Sequence, residues 1–272
     1  MTDRCGQQTM GRQQGVGHDR CVPGNMPGPA AIRHVAVVVP AHNEEQHLGR
    51  AVASLRHAVD VLQRHLPGVA ASVTVMLDSC TDGSARIAAA FTAADPRFSV
   101  VEVRLRSTGA SRAIGIATAL EQAPLERETV WLANTDADST VPASWLLRQM
   151  ELANKGADAI LGTVEPDPGD VDPNILRRWR ELHPFHEDHP HIYGANFGVR
   201  ASAYLQAGGF PAVRAHEDRL LAERLRRLGH NVLATDSIRV ITSGRTHARA
   251  PQGFAAYLRS LAHDVPVVAE PA

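Results

Sequence analysis

The chain has 272 residues, 44% of them hydrophobic and 21% charged, and its formal net charge is −1. A chain of this length and composition can bury one good core, and its charge balance excludes a surface that is basic overall and suited to polyanions. Its three cysteines, Cys5, Cys21 and Cys80, are too few for a disulfide framework and favour a reducing, cytoplasmic location.

Neither a transmembrane helix nor a signal peptide is predicted. No run of about 18 apolar residues occurs, and the first residues lack the apolar stretch of a signal peptide. Residues 1–32 are rich in Gly, Gln, Pro and Met without periodicity, and we predict that they form a disordered tail. Residues 33–263 are predicted to form a single domain, followed by a C-terminal tail at 264–272.

Buried strands and amphipathic helices alternate through the first half of the chain. The run HVAVVVP at 34–40 is continuous and β-branched, which is typical of a strand buried on both faces. After it, six apolar residues at spacings of four and three predict a helix with one apolar face: Leu48, Val52, Leu55, Val59, Leu62 and Leu66. Further strands are predicted at 72–78, 98–103 and 128–134, and further helices at 82–95 and 108–121.

The second half has a looser pattern. A strand is predicted at 157–164, and the segment PDPGDVDPN after it indicates a loop. Helices are predicted from about 174, at 216–230 and at 251–261. Residues 234–245 are predicted to begin with turn residues and then to form a short strand, SIRVIT.

This alternation predicts an α/β fold with a mostly parallel, doubly wound sheet flanked by helices. In such sheets ligands bind beyond the carboxyl ends of the strands. Three polar, acidic segments each follow a predicted strand: PAHNEE at 40–45, DSCTDGS at 78–84 and NTDADS at 134–139. We therefore expect the three segments to meet at one edge of the sheet.

The third acidic segment places two carboxylates, Asp136 and Asp138, one residue apart after an apolar run. Like charges this close repel unless a cation lies between them, which indicates a divalent metal site. The alternative is a turn, or the cap of a helix that begins near Pro142, because Asp, Asn, Ser and Thr are common in both. A turn explains poorly why all three segments carry acids, so we favour the metal.

An ordered set of motifs resembles the family 2 glycosyltransferases of the GT-A fold: VVVPAHNEE (37–45), LDSCTDGS (77–84), TDADS (135–139), GANFGVR (194–200) and HED (216–218). Most of these motifs are individually loose, but their order and spacing are more specific. The resemblance implies a Rossmann-like nucleotide-diphospho-sugar transferase fold, with a nucleotide-binding half at 33–140 and an acceptor half at 141–263. It also implies a UDP- or GDP-linked sugar donor and Mn²⁺ or Mg²⁺.

The resemblance further implies which residues contact the nucleotide. Pro40 and Ala41 would offer backbone contacts to the base and ribose, with Glu44 near the ribose. Asp78 is similar to the aspartate that hydrogen-bonds the base. Arg112, in TGASRAIG, is similar to an arginine that faces the nucleotide and its diphosphate, where a planar guanidinium suits phosphate oxygens.

Asp136 and Asp138 resemble the DxD pair, with Asp136 also in the nucleotide site and Asp138 the more direct metal ligand. Asp218 resembles the general base that deprotonates the acceptor hydroxyl. Three residues would line the sugar or acceptor pocket: Asn196, His191 and Glu217. His247, in SGRTHAR, is either a third metal ligand or a surface-loop histidine, and Arg245 beside it either clamps phosphate or is solvated.

The implied reaction moves one sugar at a time to an acceptor hydroxyl with inversion. The Gln-x-x-Arg-Trp pattern of processive synthases does not follow the HED motif. Two alternatives are a nucleotidyltransferase of similar α/β layout and a non-catalytic sugar-nucleotide-binding protein. The acidic PAHNEE segment counts against the first, which would carry a Gly-rich basic loop there. No nucleic-acid partner is predicted, because neither a helix-turn signal nor a basic net charge is present.

Two further sequence features, the histidines after residue 182 and the acids at the start of the helix at 216–230, also have simpler interpretations. Four histidines lie close together in sequence: His183, His186, His189 and His191. Prolines interrupt them and no cysteine accompanies them, so a zinc site is disfavoured, and we expect His189 and His191 to shape the acceptor pocket or to pack near the GAN turn. Glu217 and Asp218 are alternatively first-turn acids favoured by the helix dipole.

Overall fold

The computed structural model describes residues 29–213, 215–246 and 253–262, and these form one sheet with helices on both faces. The strands are β1 (His34–Ala41), β2 (Ala70–Asp78), β3 (Phe98–Val103), β4 (Val130–Asn134), β5 (Ser139–Thr140), β6 (Ala159–Pro166), β7 (Phe197–Arg200) and β8 (Val232–Thr242). The helices are α1 (Leu48–His65), α2 (Ser84–Ala94), α3 (Thr108–Gln122), α4 (Trp145–Asn154), α5 (Pro173–Leu182), α6 (Ala201–Gln206), α7 (Glu217–Arg227) and α8 (Phe254–Leu261).

The sheet has the strand order β3-β2-β1-β4-β7-β6-β8-β5. β1 pairs in parallel with β2 and β4, and β2 pairs in parallel with β3. β7 runs antiparallel between β4 and β6, β6 pairs in parallel with β8, and the two-residue β5 pairs antiparallel with β8. All described strands except β5 and β7 therefore end at the same edge of the sheet, which confirms the predicted mostly parallel α/β arrangement.

Two apolar layers cover the two faces of the sheet. Along β1 the side chains alternate, so that Val35, Val37 and Val39 join the layer under α1, whereas Ala36 and Val38 join the layer under α3. The predicted stripe of α1 is buried from Leu48 to Leu62. Burial of each such Leu or Val is worth roughly 1.5–3 kcal/mol, which is why the stripe fixes this helix to the sheet.

The sequence pattern located most of the predicted elements to within a few residues, but it was wrong about the start of β8. β8 begins at Val232, so the prediction of turn residues before a short strand is wrong. The polar residues predicted to form a turn lie instead within β8, where their side chains are hydrogen-bonded: Thr235 donates to Glu187, and Asp236 accepts from Arg239. The pairing of β6 with β8 changes register at this point, since Gly162 pairs with Thr235 and Val164 pairs with Val240, which leaves the extra residues in β8.

The described part of the chain starts within the predicted tail. Ile32 is buried against the core, and its N–H donates to Asn154 Oδ1 at 3.1 Å. The remainder of the predicted tail, residues 1–28, lies outside the described residues, as does the predicted C-terminal tail. Among the described residues, no helix has both the length and the apolar character needed to cross a membrane.

Candidate functional site

A cleft of about 1110 Å³ opens at the edge where the parallel strands end. Segments that follow β1, β2, β3, β4 and β8 contribute to its walls, together with the first residues of α8. Six of the residues predicted to bind nucleotide or metal line it: Pro40, Ala41, Glu44, Asp78, Asp136 and Asp138. The expectation that the three acidic segments meet at one edge is thus confirmed, whereas the roles of the individual residues stay predictions.

Asp78 organises one wall of the cleft. Its Oδ1 accepts the N–H groups of Leu105 and Arg106 at 2.7 and 2.8 Å, and its Oδ2 accepts the N–H of Ser107 and the hydroxyl of Ser111, both at 3.0 Å. Burial alone would raise the pKa of Asp78, but these hydrogen bonds outweigh it and lower the pKa. The carboxylate therefore holds residues 105–107 in place at the start of α3.

The connections around the cleft carry unusual backbone. Asn43, Ser79, Arg106 and His216 all have positive φ angles, between 50° and 63°, in segments that follow β1, β2 and β3 and precede α7. Non-glycine residues rarely adopt this left-handed conformation, and it persists only where the surroundings enforce it. At Asn43 the enforcing contact is visible, because its side-chain oxygen accepts the N–H of Thr81 at 2.7 Å. Strained residues near the cleft favour its interpretation as a functional site.

Arg112 does not line the cleft. Its side chain is buried, and it donates to Asp136 Oδ1 and Glu217 Oε1, each at 2.5 Å. Burial lowers its pKa, but the charges of Asp136 and Glu217 outweigh burial and raise it. A Cβ at Gly194, in the GAN turn, would overlap the guanidinium. The prediction that Arg112 faces the diphosphate does not hold here, because two carboxylates clamp it in the interior.

Arg245, unlike Arg112, lines the cleft. It lies three residues beyond the end of β8, and both of its terminal nitrogens donate to Glu44, at 2.8 and 2.9 Å. One of them, Nη2, also lies 2.7 Å from Asp138 Oδ2. A fork-to-fork pair of this kind is among the stronger ionic contacts in proteins. The sequence offered a signal for it, since Arg245 follows a predicted strand, but gave no indication of its partners.

The acids of the site outnumber its arginines. Among the described residues, the carboxylates of Glu44, Asp136, Asp138 and Glu217 pair with two guanidiniums, those of Arg112 and Arg245. Burial, and then the charge of nearby Asp136, raises the pKa of Asp138 to about 6.

Burial also raises the pKa of Glu217. An additional cation would relieve the crowding of negative charge that contributes to the shift at Asp138.

The alternative that the aspartates cap a helix is not supported. α4 begins at Trp145, after Ser144, and no side chain caps its first turn. The carboxylates of Asp136 and Asp138 contact Arg112 and Arg245 instead. In the structure, the cation beside each aspartate is an arginine: Arg112 beside Asp136 and Arg245 beside Asp138.

The HED motif forms the first turn of α7, as expected. Glu217 is buried and paired with Arg112, so it does not line the cleft. Asp218 is partly buried, and its Oδ1 accepts the N–H of Arg219 at 2.8 Å. Ala212 and Val213, in the loop before this helix, line the cleft, whereas Asp218 does not. Its role as the general base stays a prediction.

Asn196 is a structural residue rather than part of the pocket. It is fully buried, and its Nδ2 donates to the carbonyls of Thr163 and Ile238 at 2.8 and 2.7 Å. Its Oδ1 accepts the indole N–H of Trp145 at 2.9 Å. The amide thus ties β6, β8 and α4 together. The prediction that Asn196 lines the sugar or acceptor pocket does not hold, because its polar atoms are bound inside the core.

His191 belongs to an aromatic cluster between α5 and α8. Trp179 stacks on His183 with ring centroids 3.7 Å apart, and His183 lies 4.7 Å from His191. Burial, and then the nearness of other histidines, lowers the pKa of His191 to about 4. His191 does not line the cleft, but the cluster reaches it through Phe254, whose ring lies 4.9 Å from that of Trp179.

His191→Gln should reduce the loss of stability in acid. In the unfolded chain a histidine takes up a proton near pH 6.5, whereas His191 in the fold does so only near pH 4. Over this interval the unfolded state binds more protons, so stability falls as the pH is lowered from 6.5 towards 4. We expect the melting temperature of the wild type to fall more steeply than that of the variant. An unchanged slope in His191→Gln would contradict this, and exposed His65→Gln serves as the matched control.

Two points concern metal ligands. The candidate ligand His247 lies outside the described residues, and its role stays a prediction. Within the described part of the chain, no three His, Cys, Asp or Glu side chains are grouped so as to hold a metal by themselves. A divalent cation here would need oxygen ligands in addition to the two aspartates.

The family comparison gives one match. A family model described as "Glycosyl transferase family 2" matches residues 36–205, which is more than half of the chain. The matched range includes β1 with PAHNEE, β2 with DSCTDGS and β4 with NTDADS, the segments that meet at the cleft. A comparison with curated protein sequences finds no match.

Solved structures share the fold at low sequence identity. The mannosyltransferase PcManGT from Pyrobaculum calidifontis, solved with GDP-Man and Mn²⁺, has a TM-score of 0.59 and 19% identity, over 86% of this chain and 63% of that one. S. aureus TarS 1-349 has a TM-score of 0.56 and 16% identity, over 77% of this chain and 60% of that one. Glucosyl-3-phosphoglycerate synthase from Mycobacterium tuberculosis, solved with phosphoglyceric acid, has a TM-score of 0.51 and 15% identity, over 85% of this chain and 78% of that one. The chain therefore has the GT-A fold, and it spans less than two thirds of the first two structures.

Proposed function

The chain belongs to glycosyl transferase family 2 and is a glycosyltransferase, and from that premise we propose that it moves one sugar at a time from a nucleotide-diphosphate donor to an acceptor hydroxyl. The donor is UDP- or GDP-linked, and the product has the inverted configuration. Mn²⁺ or Mg²⁺ assists the reaction. The predicted cytoplasmic location rests on the cysteine count alone and stays a prediction.

One observation carries the proposal. Residues from three separate strand ends, predicted to bind a nucleotide diphosphate and its metal, line the same cleft. The volume of this cleft, about 1110 Å³, is slightly above the range of roughly 300–1,000 Å³ that is usual for small-molecule sites. Its position beyond the carboxyl ends of parallel strands is where α/β sheets bind ligands.

The residues present fit a hard divalent cation. Asp136 and Asp138 supply carboxylate oxygens, the ligand type that Mn²⁺ and Mg²⁺ prefer. The pKa of Asp138 is raised to about 6 partly by the charge of Asp136, so added positive charge is favourable there. When bound, the cation would neutralise charge on the departing nucleoside diphosphate. Oxygens of the donor diphosphate and water would complete its ligand set, since the described residues offer too few ligands.

The other cleft residues bind and orient the donor. The Asp78 carboxylate fixes residues 105–107, and the wall they form would hold the base. Pro40 and Ala41 lie at the end of β1 and line the cleft, where their backbone would contact the nucleoside. A donor held by several rigid loops loses its freedom to tumble, which is a major part of catalysis in a two-substrate reaction.

Asp218 is the proposed general base. It lies in the first turn of α7, whose preceding loop lines the cleft. A carboxylate within reach of the acceptor hydroxyl takes its proton as the oxygen attacks the anomeric carbon. Buried Glu217 and Arg112 connect this helix to Asp136, so the base and the metal-binding segment are held by one ion-pair chain.

A thermal-shift experiment tests donor binding. We expect UDP or GDP with Mn²⁺, at about 100 times its dissociation constant, to raise the melting temperature by roughly 5–10 °C, because a ligand that binds only the folded state stabilises it. ADP serves as the comparison nucleotide. The shift should require Mn²⁺ and should shrink in Asp138→Asn. Absence of a shift with both UDP and GDP would contradict the proposal, whatever the result with ADP.

A further inference from the structure

Arg245 is more exposed than Arg112, the other arginine that pairs with these acids. Arg112 has 3% of its side chain exposed and is clamped by Asp136 and Glu217. Arg245 has 26% of its side chain exposed and lines the cleft. Its backbone is tied down, since its N–H donates to Ser243 Oγ at 3.3 Å and the N–H of Ser243 donates to the carbonyl of Asp138 at 3.1 Å. The guanidinium can therefore change partners while its backbone stays beside Asp138.

All oxygens of the Asp138 carboxylate are in use. Oδ2 lies 2.7 Å from Arg245 Nη2. Oδ1 lies 3.3 Å from the hydroxyls of Ser139 and Thr242, which donate to it. The hydroxyl contacts are long and neutral, whereas the arginine contact is short and ionic. A divalent cation on either oxygen of Asp138 lies close to the Arg245 guanidinium for as long as that group stays at Oδ2, and the two positive charges repel each other.

We propose that Arg245 is a tethered counter-ion, which occupies the cation position on Asp138 in the donor-free protein and moves to the donor's diphosphate when a divalent cation takes Asp138. This inference rests on the proposed function, because it needs a nucleotide-diphosphate donor in the cleft. A guanidinium has five N–H donors, so Arg245 can contact a phosphate oxygen in place of Asp138 while it keeps Glu44, to which it donates at 2.8 and 2.9 Å.

The exchange keeps the charges of the cleft matched. Without donor, Arg245 shields Glu44 and Asp138 from each other. When the cation and the diphosphate enter together, the cation replaces Arg245 on Asp138, and the diphosphate replaces Asp138 as the second partner of Arg245. The metal is then bound weakly until the donor is present, which couples the two binding events.

The test measures Mn²⁺ and nucleotide binding separately. For Arg245→Gln without nucleotide, we expect the dissociation constant of Mn²⁺, from the electron paramagnetic resonance of the free ion, to fall roughly tenfold. In saturating Mn²⁺, the dissociation constant of whichever of UDP or GDP binds the wild type should rise roughly tenfold. Arg245→Lys keeps a positive charge near Glu44, so it takes the place of Arg245→Gln in the test if that variant fails to fold. Its changes in the two dissociation constants should have the same direction and smaller size.

Three outcomes separate the possibilities. Tighter Mn²⁺ binding together with weaker nucleotide binding supports the counter-ion. If the wild type binds the nucleotide and neither dissociation constant changes in the Arg245 variants, the counter-ion role is overturned and the proposed function stays intact. A wild type that binds neither UDP nor GDP in Mn²⁺ overturns both. Arg148→Gln, which removes an exposed arginine paired only with Glu151 in the described structure, should leave both constants unchanged.

Discussion

Asp138→Asn should lower the rate of sugar transfer by about 100- to 1000-fold while the protein stays folded. The amide removes the charge that would hold the cation against the departing diphosphate. The fold should not suffer, because burial and Asp136 raise the pKa of Asp138 to about 6, above its unfolded value near 3.9. The folded protein thus binds more protons here, and the ionised carboxylate at pH 7 costs stability. We expect an unchanged or higher melting temperature.

The control for this variant is Asp60→Asn, which makes the same chemical change on α1 away from the cleft, where the side chain is 47% exposed. Its transfer rate should equal that of the wild type within about twofold. If Asp138→Asn retained the full rate in Mn²⁺, Asp138 would be neither a metal ligand nor a catalytic group. If it lost its activity and its fold together, the assignment of Asp138 to function rather than structure would be wrong.

Arg112→Met should cost about 3–5 kcal/mol of unfolding free energy. The guanidinium is buried between Asp136 and Glu217, at 2.5 Å from each, so its removal leaves two crowded carboxylates without their cation. Urea unfolding monitored by circular dichroism measures the loss. Because Arg112 joins α3 to the segment after β4 and to α7, we also expect the segments that carry Asp136 and Asp218 to loosen together.

A second substitution tests the cause of that loss. Arg112→Met with Glu217→Gln removes one of the stranded charges and should recover part of the lost stability, whereas independent effects would simply add. Arg177→Gln, whose side chain is 71% exposed, should cost less than about 1 kcal/mol. A loss in Arg112→Met as small as that of Arg177→Gln would show that Arg112 does not hold the site together.

The parts of the fold that follow local periodicity could be predicted from the sequence. The run HVAVVVP predicted β1, and the spacing of apolar residues predicted α1, because a buried strand and an amphipathic helix each have a characteristic pattern of apolar residues. The meeting of the three acidic segments also followed, since the carboxyl ends of parallel strands share one edge. The short β5 and β7 left no such signal, because two to four residues are too few to show a period.

The partners of charged side chains could not be predicted, because they join distant parts of the chain. Arg112 is 105 positions from Glu217, and Arg245 is 201 positions from Glu44. Residue type alone indicated that each arginine might bind phosphate, but the structure assigns Arg112 to the interior and Arg245 to the cleft. Asn196 was misplaced for the same reason, since its three partners come from α4, β6 and β8.

The most direct test of the account is to identify what the wild type releases from UDP- and GDP-sugars in Mn²⁺. Sugar transfer breaks the bond between the anomeric carbon and the diphosphate, so the nucleotide leaves as UDP or GDP. We predict release of the nucleoside diphosphate from one donor, abolished to background in Asp138→Asn. Release of a nucleoside monophosphate or pyrophosphate, or no release from any donor, would contradict a glycosyl transfer carried out in this cleft.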